Sequence, residues 1–329
     1  MKQEEFLQLL MSQLIELNEE DKNQLREYYN ELIMDGMELG KTEDEIINEF
    51  GPADQVAARI RKEYAEYGEM LSALPSKSRF SGKEEYRSEN TKIHTIIIDA
   101  SNIPVDVIPV REGSVKVDFK PRDGVDTVSS NTIDGEFTFI HRMRSFSFNF
   151  FSLFQGPRRI VVEVPEDFEG NLSVKTTNGS INVKGLKNLS NAKFLTSNAK
   201  ITAINFICKS VFMKTSNGSL NLDNIHGDEM EAETSNAHIA ADSCAMSNAL
   251  MLTTKNGAIG VHNIECDKIV LKTSNAAITG TIHGDMRDYA IQSHTSNASC
   301  NLPNYSYPEQ KKNLVARTSN GRIQVEFVR

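Results

Sequence analysis

The residues in this chain whose types and spacing could do chemistry are polar and periodic. A tetrapeptide, Thr-Ser-Asn-Gly or a near copy, occurs eight times, with its asparagines at Asn178, Asn198, Asn217, Asn236, Asn256, Asn275, Asn297 and Asn320. Successive asparagines are separated by 20, 19, 19, 20, 19, 22 and 23 residues. Hydroxyls and carboxamides at such a period could line a ligand-binding ladder or mark a column of structural corners. Catalysis needs other groups. Glycan cleavage requires paired carboxylates, and the acids of the repeat region are scattered. Their one cluster, Asp228-Glu229-Met230-Glu231-Ala232-Glu233, alternates as the solvent side of a strand does. His226, His238, His262, His283 and His294 fall at different offsets in their units, so no metal column is aligned. Cys208, Cys244, Cys266 and Cys300 form no Cys-x-x-Cys pair and read as small apolar fillers. A Gly-rich phosphate loop and a nucleophile motif are both missing. These residues predict a protein that is no enzyme and carries no metal and no cofactor.

A second stretch departs from the repeat. Phe146, Phe148, Phe150, Phe151 and Phe154 are flanked by Arg142, Arg144, Arg158 and Arg159, with no acid between them. One reading is an alternating strand whose rings fill a core. The other is an exposed loop contacting a partner or an anionic membrane surface, because apolar rings with basic flanks favour such an interface.

The elements that must position these residues follow from alternation. Apolar residues sit four and six positions before each repeat asparagine, as in Val211/Met213 and Leu250/Leu252, and another lies three positions after it, as in Leu220 and Ile259. Period-two alternation on both sides of a turn means strand, corner, strand. Asparagine tolerates the left-handed conformation and suits the corner. Stacked corners would let Asn, Ser and Thr side chains form ladders along the axis. Gly and Ala alternate after the first six asparagines, and the residue at plus five alternates with them, large after Gly and small after Ala. This double period predicts a coil of two unlike units, about 39 residues long. One unit per coil, with large and small residues alternating between neighbours, is the alternative.

The first part of the chain is different. Residues 1–70 hold 18 Asp/Glu and 7 Lys/Arg, a net −11 against −9 for the whole. Phosphate recognition needs clustered cations, so nucleic acid is excluded as a partner of this region. Helical periodicity at Phe6, Leu7, Leu10, Leu14 and Leu17 starts a small helical bundle. Asn18 is a candidate N-cap, Gly40 a helix stop, Thr42-Glu43-Asp44-Glu45 a capping box, and Gly51-Pro52 a break. Ser, Pro and charges over 71–92 give a linker, and 93–165 reads as an irregular or antiparallel β cap leading into repeats at 166–329. The fold class is thus α+β multidomain: a small N-terminal helical bundle, then an all-β, parallel β-helix-like solenoid with an antiparallel β cap. There is no signal-peptide or spanning segment, so a cytoplasmic protein is expected, with attachment to a membrane from inside left open.

The run Gly40-Lys41-Thr42-Glu43-Asp44-Glu45-Ile46-Ile47-Asn48-Glu49-Phe50-Gly51-Pro52-Ala53 resembles the HAAS family of helical domains. Val162-Glu163-Val164-Pro165 and Leu172-Ser173-Val174-Lys175-Thr176-Thr177-Asn178-Gly179-Ser180-Ile181-Asn182-Val183 resemble the Toastrack family of adhesin-like β-repeat domains. The pairing implies a binding or scaffold protein of bacterial envelope-stress or antimicrobial-response signalling, with a protein partner on the acidic helices and homo-oligomerisation open. An extracellular adhesin or carbohydrate-binding solenoid is the alternative reading, and a glycan-active β-helix enzyme a third.

Overall fold

The computed structural model describes residues 2–17, 19–38, 41–62, 84–88, 92–121, 126–143 and 158–329. They fall into two compact units, one helical and one β.

In the helical unit, α1 (Gln3–Gln13), α2 (Glu19–Glu38) and α3 (Glu43–Phe50) precede a further helical segment at 53–62. The capping box forms as expected: Glu45 N–H donates to Thr42 Oγ1, and Thr42 N–H donates to the Glu45 carboxylate at 2.8 Å. Gly51 has φ +88°, a conformation that L side chains rarely adopt, and this ends α3. Phe6, Leu10, Leu14, Leu25, Ile33, Ile46, Val56 and Ile60 make a core whose members all belong to this unit. Asn18 and Gly40 lie outside the described residues.

In the β unit, chain alternation becomes a stack. Strands β1 (Glu84–Arg87), β2 (Thr95–Asp99), β3 (Val105–Val110), β4 (Lys116–Phe119), β5 (Asp126–Ile133), β6 (Glu136–Met143) and β7 (Ile160–Pro165) lead into the repeats. These supply β8 (Gly170–Lys175), β9 (Ile181–Lys184), β10 (Leu189–Leu195), β11 (Ile201–Lys214), β12 (Leu220–Glu233), β13 (Ile239–Asp242), β14 (Ala245–Thr253), β15 (Ile259–Lys272) and β16 (Ile278–His283). The chain ends with β17 (Tyr289–His294), β18 (Lys312–Arg317) and β19 (Ile323–Val328). Repeat strands pair in parallel with the next unit, as Ile201 with Leu220 and Val211 with Met230. One sequence unit is therefore one coil, and the expected two-unit coil is wrong. The double period is real but runs between neighbours: Val183, Ala203, Leu222, Ala241, Val261 and Gly280 occupy one register column. Large and small side chains alternate along it, so a large residue of one rung lies against a small one of the next.

Each coil is a folded-over strand. Buried positions in β11 run 201, 203, 206, 208, 211 and 213, so alternation skips a beat twice and the chain bends at both places. The first bend is a second column of corners that the tetrapeptide search missed. Asn205, Asn224, Ser243 and Asn263 all have positive φ near 50°, above Gly185 at +75°. The tetrapeptide asparagines are not left-handed, contrary to expectation. The left-handed duty falls on this other column, where Asn, Ser and Gly share the tolerance but no fixed motif surrounds them.

The two ends share a device. β2 lies between β6 and β8, and β3 between β7 and β9, all in parallel. At the other end β18 lies between β15 and β17. The first and last parallel rungs in sequence are thus second in space, and neither chain end of the stack is an edge. An antiparallel cap over all of 93–165 is corrected accordingly: β2 and β3 belong to the solenoid, and the antiparallel pairs are β5–β6, β4–β7 and β1–β4. β1 also falls in the stretch expected to be linker. Its Glu85 pairs with Lys116 of β4 at 3.2 Å, so its charges serve a strand rather than a solvated tether.

Candidate functional surfaces of the solenoid

The tetrapeptide column is a ladder bonded from rung to rung through its asparagine side chains. Asn198 Nδ2 donates to Asn178 Oδ1 at 2.6 Å, Asn217 to Asn198 at 2.5 Å and Asn236 to Asn217 at 2.5 Å. The series continues through Asn256 and Asn275, at 2.7 Å each, then Asn320 at 2.8 Å and finally Asn297 at 2.6 Å. Asn178 donates to Asn102, which extends the ladder into the first rung by a residue outside the eight copies.

The threonines, expected in a side-chain ladder with the asparagines, bond to backbone instead, and seven of the eight are turned into the core. Thr176, Thr196, Thr215, Thr234, Thr254, Thr273 and Thr318 are all buried. Each hydroxyl donates to a backbone carbonyl of the adjacent rung, as Thr254 Oγ1 to Ala237 at 3.1 Å and Thr273 Oγ1 to Gly257 at 2.9 Å. A buried hydroxyl costs stability unless so paired. The Gly/Ala alternation has a steric cause at the same corner. A Cβ on Gly218, Gly257 or Gly321 would lie 1.7–1.8 Å from the carbonyl oxygen of Ala199, Ala237 or Ala276 beneath it. These glycines instead send their N–H to their own corner threonine, at 3.2–3.3 Å. The column is bonded along its own axis.

Of the residues proposed for partner or membrane contact, Arg144, Phe146, Phe148, Phe150, Phe151 and Phe154 lie outside the described residues. Arg142 Nη2 is held by Asp99 at 2.7 Å, Arg159 is paired with Asp106, and Arg158 is half-buried. Beside this stretch, His141 and Asp126 form a fully buried pair at 3.0 Å. Ser101 N–H donates to His141 Nδ1 at 3.4 Å, which leaves Nε2–H to donate to Asp126 Oδ1. Nothing in the repeat grammar pointed to this pair.

The thiols are poor nucleophiles. Burial pushes Cys208 up to about 12 and Cys244 up to about 11. Cys300 departs from the filler expectation and is exposed. Among the described residues no group of His, Cys, Asp and Glu is arranged to hold a metal ion. No described helix is long and apolar enough to cross a membrane. Asp285 accepts from Arg287 and is paired with Arg329, and these cations hold its carboxyl far below the usual range. That cluster ties Arg329 to the turn between β16 and β17.

Stacked parallel rungs with ladders of Asn and Thr, preceded by a small acidic helical bundle, define a β-solenoid protein with a fused helical module. The sequence matches the family described as Toastrack DUF4097 over residues 93–328, and the chain belongs to that family. Residues 5–59 match the HAAS family. No curated protein matches the chain. A crystal structure of a Clostridium sporogenes protein, described as a candidate cell adhesion protein, aligns at 8% identity over 75% of this chain and 99% of that one, with a TM-score of 0.26.

Proposed function

We propose that this chain is a non-catalytic adaptor of bacterial envelope-stress or antimicrobial-response signalling, acting on the cytoplasmic side. The acidic helical unit recognises a protein partner, and the solenoid is a rigid scaffold. One observation carries the reading most: the repeated asparagines and threonines, the chain's most conspicuous chemistry, are engaged in rung-to-rung bonds, while the helical unit presents acids at its surface. Glu16, Asp44 and Asp54 are exposed there, as are the apolar Met34 and Met37, at 54% and 52%. Acids and protruding methionines on one unit suit a protein surface that repacks around them.

The paired arginines count against a membrane role for the basic stretch. Arg142 and Arg159 would have to leave Asp99 and Asp106 before meeting lipid phosphates. The full-length protein, tagged and captured from the host, tests the adaptor reading. A partner retained by wild type and lost with Glu16→Lys/Asp54→Lys is expected. Recovery of the protein only on the cell surface or in the medium would overturn it in favour of an adhesin.

A further inference from the structure

One outward face of the solenoid carries a pattern that none of the roles above uses. It is formed by the residues just before each tetrapeptide, on β11, β12, β14, β15 and β18. In register along the stack, its central column reads Phe212, Glu231, Met251, Val270 and Val315. Val270 points outward between Ile269 and Leu271 yet is only 8% exposed, so this stripe is apolar enough to shelter its own middle. A groove of about 250 Å³ lies along it, lined by Phe212, Glu231 and Met251 among others.

The two flanking columns carry charge in a particular order. One rung before Met251 stand Glu229 and Glu233, and one rung after it stand Lys268 and Lys272. Glu229, Lys268 and Lys272 are exposed and Glu233 is half-buried. A two-fold axis along the strand direction keeps each residue's position along the strand and reverses rung order. It sets Glu229 opposite Lys268 of a second copy, Glu233 opposite Lys272, Met251 opposite Met251, and Phe212 opposite Val315. An axis along the stack would instead put Glu229 on Glu233 and Lys268 on Lys272. Only the first arrangement is self-complementary, which is the condition for an isologous contact.

We propose that this face is the contact surface of a homodimer, with the two-fold axis running along the strands through Met251. Sheets packed face to face stand about 10 Å apart, a gap that Glu and Lys side chains bridge. The arrangement also sets Lys214 across from Arg317, a repulsion that Glu233, 2.7 Å from Lys214, offsets while it is shared with Lys272 of the second copy. Five rungs spaced ~4.8 Å, each presenting five residues at ~3.3 Å, cover roughly 400 Å² per copy. That is about half a standard interface, so the contact is a weak, transient one and is screened by salt. Burial already holds the Glu231 carboxyl above its ordinary range, with its hydrogen bond to Glu233 adding to the effect.

Sedimentation equilibrium of the full chain tests this, at concentrations up to on the order of 100 µM. A concentration-dependent dimer is expected. Lys268→Glu/Lys272→Glu, and separately Glu229→Lys/Glu233→Lys, should weaken it about tenfold or more, and Met251→Lys should abolish it. All four charge reversals in one chain restore complementarity and should restore the dimer. A monomer at every concentration, a dimer indifferent to either double reversal, or a folded fourfold variant that stays monomeric would each overturn the proposal. Partner capture by the helical unit is unaffected by these variants, so the two readings fail separately.

Discussion

Two glycines three residues apart meet opposite surroundings. A Cβ on Gly257 would lie 1.7 Å from the Ala237 oxygen, whereas one on Gly260 meets nothing within 4 Å. Gly257→Ala should therefore cost about 3 kcal/mol, at the upper end for an overpacked site. Gly260→Ala should be neutral or slightly stabilising, because it lowers the entropy of the unfolded chain. Urea unfolding of both variants checks the contrast. Glu231 supplies a prediction in pH. Its carboxyl is raised in the folded state by burial and the Glu233 bond, so the native protein holds that proton more tightly than the unfolded chain does. The stabilisation this gives is complete below the unfolded value, near pH 4, and is lost as pH rises through the folded one. The melting temperature of Glu231→Gln should exceed that of wild type most at neutral pH, with the gap closing in acid. At this scale the sequence was legible where a motif repeated. The asparagine ladder and the Gly/Ala alternation were visible in the tetrapeptide. The buried threonine hydroxyls were not, because whether a Thr faces inward or outward depends on the bend. His141 and Asp126 were also hidden, since residues 15 apart acquire a relation only through the β5–β6 pairing.

Strand, corner and strand were readable from alternation, but the number of units per coil was not. A double period in residue size is produced equally by two unlike halves of one coil and by two unlike neighbours, and only the parallel register separates them. The end rungs left a trace that can be read afterwards. The last two asparagine separations, 22 and 23, exceed the others because the chain passes over one rung to build β17 and then returns to fill it with β18. Ending the chain at residue 311 removes a rung flanked on both sides, rather than an edge. The expected result is loss of hydrogen-exchange protection across β15, β16 and β17 together, while β11 and β12 keep theirs. Simple fraying of one terminal strand would leave β15 protected and contradict the inverted order.

The helical and β cores share no residue, so each unit carries its own stability. Ile60→Ala, fully buried in the helical unit, should cost that unit about 3 kcal/mol and leave the solenoid's transition in place. Scanning calorimetry would show one transition moving and the other still. The composition shift at the end of the acidic region made this division legible. Which surface does the binding was not, because surface charge and exposed methionines have no period to give them away. The division of labour is the account's central claim, and cross-linking of the full-length protein in living host cells tests it most directly. A partner should be found joined to Lys22, Lys41 or Lys62 of the helical unit, and lost when Glu16 and Asp54 are reversed in charge. A partner joined only to solenoid lysines, and retained by the charge-reversed protein, would contradict it.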